Sequence, residues 1–424
     1  MKQTHFNVGF VSARFKGSDG VSLETEKWSA VLQRLGCSCF LFGGDCDEKE
    51  MEFTYLLPEA HFQHPDIQEI YTISFSYPKR PSDITLRIHV LAANIKQHLY
   101  RFVDRFSIDL MIVENVLAIP LNIPLGLALT EFIAETSFPT IAHHHDFFWE
   151  RKRFLTNCVW DYLNMAFPPH LPSIAHVVIN SSGSNQLSLR TGISGTLIPN
   201  VMDFDNPPEP AGQYAATLRE DVGVLPGEFF FLQPTRVVQR KGIEHAIELT
   251  HRLGLKAKLV ISHASGDEGY EYEQRLRDYA NLLGVSTNFV SNIISDKRDL
   301  LEDGRKVYTL WDAYQSADLV TYPSTIEGFG NAFLEAIYFR RPILVNNYSI
   351  FSIDIKPKGF RVIEFDGFIT DETVRRTRQV LENPDLCEEM TEHNYLLARR
   401  FYSYTMLERS LRTLLAERFG EETP

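Results

Sequence analysis

Short apolar runs alternate with amphipathic stretches along the chain, and the pattern occurs twice. Phe6 to Val11 is a strand-like run, and Ser22 to Leu35 follows with apolar positions at helical spacing before stopping at Gly36. Cys37 to Phe42 begins the next strand at once. Leu110 to Val113, Thr140 to His143 and His176 to Asn180 read as further buried strands with helical or irregular segments between them. The second half restarts at Phe229 to Pro234, continues through a helix over 242–253 and the strand Lys258 to Ser262, and reaches Thr287 to Val290, the Leu319 strand and Pro342 to Val345. Strands that alternate with helices and lack a polar face predict parallel sheets covered on both sides. The fold class is therefore α/β, with two doubly wound Rossmann-like domains.

The segment around Leu197 to Asp203, followed by Asn206-Pro207-Pro208-Glu209-Pro210, is proline-dense and non-periodic, as an interdomain connection would be. We expect an N-terminal domain over 1–200, a C-terminal domain over 201–395, and a C-terminal helical segment over 396–424 that packs back over the joint. Sheets of this kind bind ligands outside the carboxyl ends of their strands, so a central cleft is the expected site.

Four clusters at such strand ends carry candidate chemistry. In the first, the strand Ala317 to Ser324 stops at Pro323, and a helix is predicted from about Asn331, with Ala332, Phe333, Ala336 and Ile337 on one face. Glu327 precedes the turn, Glu335 lies one turn inside the helix, and Gly328 and Gly330 let the backbone bend and a ligand approach. Ionised carboxylates only accept hydrogen bonds, which suits sugar or ribose hydroxyls, and free amides at the helix start suit an anion. A plain helix start with an exposed acid fits these residues too.

The second cluster, Thr235 to Gly242, follows the Phe229 strand, where Arg236 and Lys241 can converge on a diphosphate; alone it is equally a solvated basic turn. The third runs from His143-His144-His145-Asp146 through Phe147, Phe148 and Trp149 to Arg151-Lys152-Arg153. Consecutive side chains on a strand face opposite ways and no cysteine or carboxylate stands at ligand spacing nearby, so a metal centre is disfavoured. One histidine with Asp146 emerging to meet a polar substrate is preferred, beside the alternative of a buried aromatic cluster. The fourth, Gly17-Ser18-Asp19-Gly20-Val21, lacks the Gly-x-Gly-x-x-Gly pattern of a nicotinamide site, though Gly20 could bring amides to a phosphate or sugar.

Composition narrows the class. A chain of 424 residues exceeds what one core usually supports, and a net charge of −13 argues against a nucleic-acid partner. Five cysteines without a Cys-x-x-Cys pair indicate neither a disulfide framework nor zinc, and suit a reducing cytoplasm. No export leader precedes Phe6, and the apolar stretch Val116 to Leu129, interrupted by Pro120, Asn122 and Pro124, is too short to span a bilayer. Cytoplasmic localisation without a transmembrane segment is the expectation.

Together Gly20-Val21, His145-Asp146, Arg236 with Lys241, and the Glu-x7-Glu span from Glu327 to Glu335 resemble retaining glycosyltransferases of family four, which have the GT-B fold. The resemblance runs through both halves; it departs from the commonest pattern where Asp19-Gly20 replaces paired glycines. It implies that Arg236 and Lys241 neutralise the donor diphosphate, Glu335 holds the ribose and Glu327 contacts donor-sugar hydroxyls. It further implies that the Phe329, Gly330 and Asn331 backbone cradles sugar and phosphate, with His145 beside the reacting centre. No metal or other cofactor is expected, in keeping with the absence of an Asp-x-Asp motif.

Tyr338 to Pro342, Asn346 to Phe351 and the His145 to Arg151 stretch are similar to a subgroup that includes mannosylglucosylglycerate synthases, makers of small anionic compatible solutes. Hexose transfer follows as the expected activity, with GDP-mannose preferred over UDP-glucose as donor. The acceptor would be small, hydroxylated and anionic, such as a glycerate glycoside, with His145, Asp146 and Arg151 on its side. A nucleotide-sugar 2-epimerase and a noncatalytic carbohydrate-binding subunit of the same fold are the competing readings.

Overall fold

A computed structural model describes residues 6–17, 20–46, 48–265 and 270–420. The chain divides into two units, one formed by residues 1–200 with 404–424 and the other by residues 201–403.

In chain order the first unit contains β1 (Phe6–Val11), α1 (Gly20–Arg34), β2 (Cys37–Gly43), β3 (Thr54–Leu56), α2 (Pro65–Ser76), α3 (Ser82–Phe106) and β4 (Leu110–Glu114). It continues with α4 (Ile123–Thr136), β5 (Thr140–His144), α5 (Trp160–Ala166), β6 (Ile174–Val178), α6 (Ser181–Thr191) and β7 (Gly195–Leu197). The seven strands form one sheet in the order β3-β2-β1-β4-β5-β6-β7, and every pairing is parallel. Residues of β4 and β5 are buried throughout, so neither strand presents a solvated face. The Val116 to Leu129 stretch is core: it feeds α4, whose start is capped by the Asn122 side chain accepting from the Leu125 amide at 3.0 Å.

The second unit contains α7 (Leu218–Asp221), β8 (Phe229–Gln233), α8 (Ile243–Leu253), β9 (Ala257–Ile261), α9 (Glu271–Leu283), β10 (Ser286–Phe289), β11 (Ile294–Ser295), β12 (Asp299–Leu300) and β13 (Lys306–Thr309). It ends with α10 (Leu310–Ser316), β14 (Leu319–Tyr322), α11 (Asn331–Tyr338), β15 (Ile343–Asn346), β16 (Ile363–Phe365), α12 (Asp371–Glu382) and α13 (Pro384–Tyr402). Its parallel sheet runs β10-β9-β8-β14-β15-β16, and β11, β13 and β12 make a separate small sheet. The last helix, α14 (Tyr404–Phe419), returns to the first unit, where Arg34 of α1 lies over the Tyr404 ring at 5.0 Å. Among the described residues no helix is long and apolar enough to cross a membrane.

Both units have the same consequence for function. In a parallel sheet all strand ends of one polarity open on the same edge, so loops following neighbouring strands are neighbours. The loops after β4 and β5 meet in the first unit, and those after β8, β9 and β14 meet in the second.

Candidate functional site

In the second unit, the sequence from Gln233 to Gly242 leaves β8 and turns into α8, while Pro323 to Gly330 leaves β14 and turns into α11. The two turns are bonded to each other. The Thr325 amide donates to the Arg240 carbonyl at 2.9 Å, and the Thr325 hydroxyl donates to the same oxygen at 3.1 Å. Gly242 adopts φ +58°, and a Cβ there would stand 2.6 Å from the Pro323 carbonyl oxygen, so only glycine allows this approach. Beneath them, the buried Thr321 hydroxyl donates to the Gln233 side-chain oxygen at 2.7 Å.

This docking places the Lys241 ammonium directly on Glu327 Oε1, with Arg240 Nη1 3.5 Å from Glu327 Oε2. The Lys241 and Glu327 side chains are only 11% and 9% exposed, so the pair is nearly out of water. Burial pushes the Glu327 carboxyl up, but the Lys241 and Arg240 charges outweigh it and leave the group below its ordinary range. Burial also lowers Lys241, against the pull of Glu327. The ammonium lies 5.7 Å from the Tyr322 ring centroid.

The Gly-Phe-Gly turn above this pair is clamped by Tyr348, whose hydroxyl donates to the Phe329 carbonyl at 2.8 Å. Gly330 adopts φ +117°, and a Cβ there would lie 2.6 Å from the Tyr348 hydroxyl and 3.1 Å from that of Tyr322. Asn331 then opens α11, and Glu335 inside it accepts from the Tyr314 hydroxyl at 2.7 Å. The arrangement therefore joins a buried cation, two carboxylates and a helix start at neighbouring strand ends. Arg236 belongs to the same edge but stays exposed, and its guanidinium makes no ion pair among the described residues.

Sequence reasoning passed over His263. It follows β9, and the Val237 amide donates to the Ala264 carbonyl at 3.1 Å, which ties its loop to that of Arg236. Burial, then the Lys241 and Arg236 charges, lower its imidazole below the ordinary value. The available signal was its position one residue beyond the Lys258 to Ser262 strand.

In the first unit, alternation along β5 separates the three histidines. His144 turns one way, onto His176 at 2.9 Å, and His143 and His145 share the other face with ring centroids 4.5 Å apart. Parallel pairing sets Glu114 of β4 beside His143. Glu114 Oε2 receives His143 Nδ1 at 2.9 Å and His145 Nε2 at 3.3 Å. The carboxylate that local spacing did not offer thus comes from the neighbouring strand.

Ligand atoms of Glu114, His143 and His145 lie within 4.8 Å of one another, and the contacts in place are hydrogen bonds to one oxygen. Burial acts to raise Glu114, yet the two imidazoles bring it down to about 2. Burial acts to lower His145, but the Glu114 carboxylate dominates and raises it.

Asn115, in the left-handed region at φ +60°, accepts from the His145 amide at 3.1 Å and donates to Asp146 at 3.1 Å. Asp146 in turn accepts from Arg151 Nε at 2.5 Å. Phe147 and Phe148 are buried, with Trp149 stacked on Phe147 at 4.5 Å. Gly20 is the first residue of α1; its neighbours Ser18 and Asp19 lie outside the described residues.

Residues 216–396 match the family model described as glycosyl transferases group 1. A protein of Thermotoga maritima named mannosylglucosylglycerate synthase is 31% identical over 423 residues, covering 92% of this chain and 95% of its own. A protein of Petrotoga mobilis with the same name is 30% identical over 384 residues, 84% of this chain and 86% of its own. Among solved structures, a glycosyltransferase from Rickettsia africae superimposes with a TM-score of 0.70 at 13% identity, covering 99% of this chain and 100% of that one. That likeness concerns the GT-B fold.

Proposed function

The chain belongs to the group 1 glycosyl transferases, and from that premise we propose that it is a retaining hexosyltransferase whose donor is GDP-mannose and whose acceptor is a small anionic glycerate glycoside. Membership makes it a hexosyltransferase that uses a nucleotide sugar and an acceptor; the donor, acceptor and stereochemistry are the proposal. The name carried by the two relatives describes a product with mannosyl, glucosyl and glycerate parts, which favours a mannosyl donor over UDP-glucose.

The observation that carries the mechanism is the buried Lys241–Glu327 pair at the opening of α11. Breaking a bond between a sugar and a nucleotide diphosphate leaves negative charge on the diphosphate and positive charge at the anomeric carbon. Lys241 and the amides opening α11, held in a poorly hydrated setting before the reaction begins, can stabilise the departing diphosphate without a metal, and the exposed Arg236 adds a second positive charge. Glu327 then serves donor-sugar hydroxyls with one oxygen while keeping Lys241 in place with the other, and Glu335 takes the ribose. The diphosphate accepts the acceptor proton, and attack on the face it leaves retains the anomeric configuration. His145, Asp146 and Arg151 serve the acceptor side, and a cytoplasmic setting suits five cysteines that form no disulfide among the described residues.

An epimerase or a noncatalytic subunit is not favoured, since the relatives are named as synthases. Incubation with labelled GDP-mannose, with and without glucosylglycerate, separates the three. Labelled α-mannoside formed only with acceptor supports the proposal; an epimerised donor, or binding without turnover across an acceptor panel, contradicts it.

A further inference from the structure

We infer that Glu114 is a positioning residue for His145, fixing the ring through Nε2 so that Nδ1 is the nitrogen offered to substrate. This rests on the reading above that His145 serves the reaction.

Glu114 ends β4 and is 1% exposed. Its Oε2 sits 2.9 Å from His143 Nδ1 and 3.3 Å from His145 Nε2. An ionised carboxylate has lone pairs and no proton, so both nitrogens facing it must carry hydrogen. That settles which nitrogen of each ring is protonated, which distances alone would leave open. It also leaves His145 Nδ1 without a hydrogen-bond partner among the described residues, on a side chain 10% exposed.

The rest of the cluster keeps this choice from relaxing. Trp28 stacks on His143 with centroids 4.3 Å apart and an interplanar angle of 28°, so His143 cannot swing away and release the carboxylate. The His145 amide is held by Asn115, whose side chain also holds Asp146. Of the other carboxylates near the ring, Glu24 takes Lys27 at 2.5 Å through Oε1 and Asp146 takes Arg151, and neither is hydrogen-bonded to the imidazole. Glu114 is thus the group that orients the imidazole, as the outer carboxylate does in other carboxylate–histidine arrangements.

The test uses the full chain with 15N-labelled histidine, the His145 ring signals being assigned by their loss in His145→Asn. In the wild type at neutral pH they should show Nε2 protonated. In Glu114→Ala the ring should become a mixture of tautomers, with kcat down roughly 10- to 100-fold and donor KM within about threefold. Glu114→Gln keeps an acceptor oxygen and the side-chain shape, and should restore most of the Nε2–H signal and of kcat; Glu114→Leu, of similar size but without an acceptor, should reproduce the alanine result and replaces it if the alanine variant does not fold.

A His145 ring spectrum unchanged when the acceptor is removed overturns the proposal, as does a fall in folding stability with kcat and the ring spectrum left as in the wild type. The spectrum decides the positioning whatever the enzyme transfers. A His145→Ala variant with full turnover would instead remove His145 from the reaction and leave the spectral result standing.

Discussion

Lys241 and Glu327 hold each other in a setting where neither tolerates being alone. Removing one partner of a buried pair leaves an uncompensated charge, so Lys241→Ala should cost about 3 kcal/mol of stability, measured by urea denaturation. The same variant loses the cation proposed to meet the leaving diphosphate and should lower kcat about 100- to 1,000-fold. Unchanged kinetics would exclude Lys241 from the site.

Glu114 makes a pH prediction. Its carboxyl is lowered from 4.5 to about 2 on folding, so ionised Glu114 stabilises the protein above pH 4.5 and that contribution disappears as pH falls through 2. Acid unfolding followed by circular dichroism should therefore be shallower between those values in Glu114→Gln than in the wild type. Residues that act through local spacing were legible in the sequence: Arg236 and Lys241 share one turn, and Glu327 and Glu335 flank another. Glu114 was not, because it reaches His143 and His145 only through the pairing of β4 with β5, a tertiary contact.

Among elements, the turn into α11 matters most. Gly330 there combines a backbone angle that side chains avoid with two tyrosine hydroxyls in the space a Cβ would need. Gly330→Ala should lose about 2 kcal/mol from strain and displace the helix start, lowering both melting temperature and donor affinity. An alanine variant with wild-type melting and affinity would show that the turn can shift freely.

Strands such as β1, β4, β8 and β14 stood out because parallel strands buried on both faces must be almost wholly apolar. The small sheet of β11, β12 and β13 did not, since two of its strands are two residues long and half of its strand residues are polar. α3 was hidden for another reason. Leu86 and Val90 are 65% and 60% exposed, which blurs the apolar stripe of a 25-residue helix.

At the scale of the molecule, each unit has its own parallel sheet and its own apolar core. The alternation of strand and helix made that duplication readable from the sequence. Return of the final helix to the first unit depends on packing partners far away in the chain, among them Arg34 over the Tyr404 ring.

The residues from Arg236 to Glu335 proposed to bind the donor belong to the second unit, and the proposal that they form one nucleotide-sugar site is the centre of the account. Calorimetric titration of GDP-mannose into the wild type and into Glu335→Ala tests it most directly. A charge-assisted hydrogen bond contributes about 1.5–3 kcal/mol, so the account predicts saturable binding that weakens roughly 10- to 100-fold in the variant. Equal affinity in the two proteins, or no binding by the wild type, would contradict it.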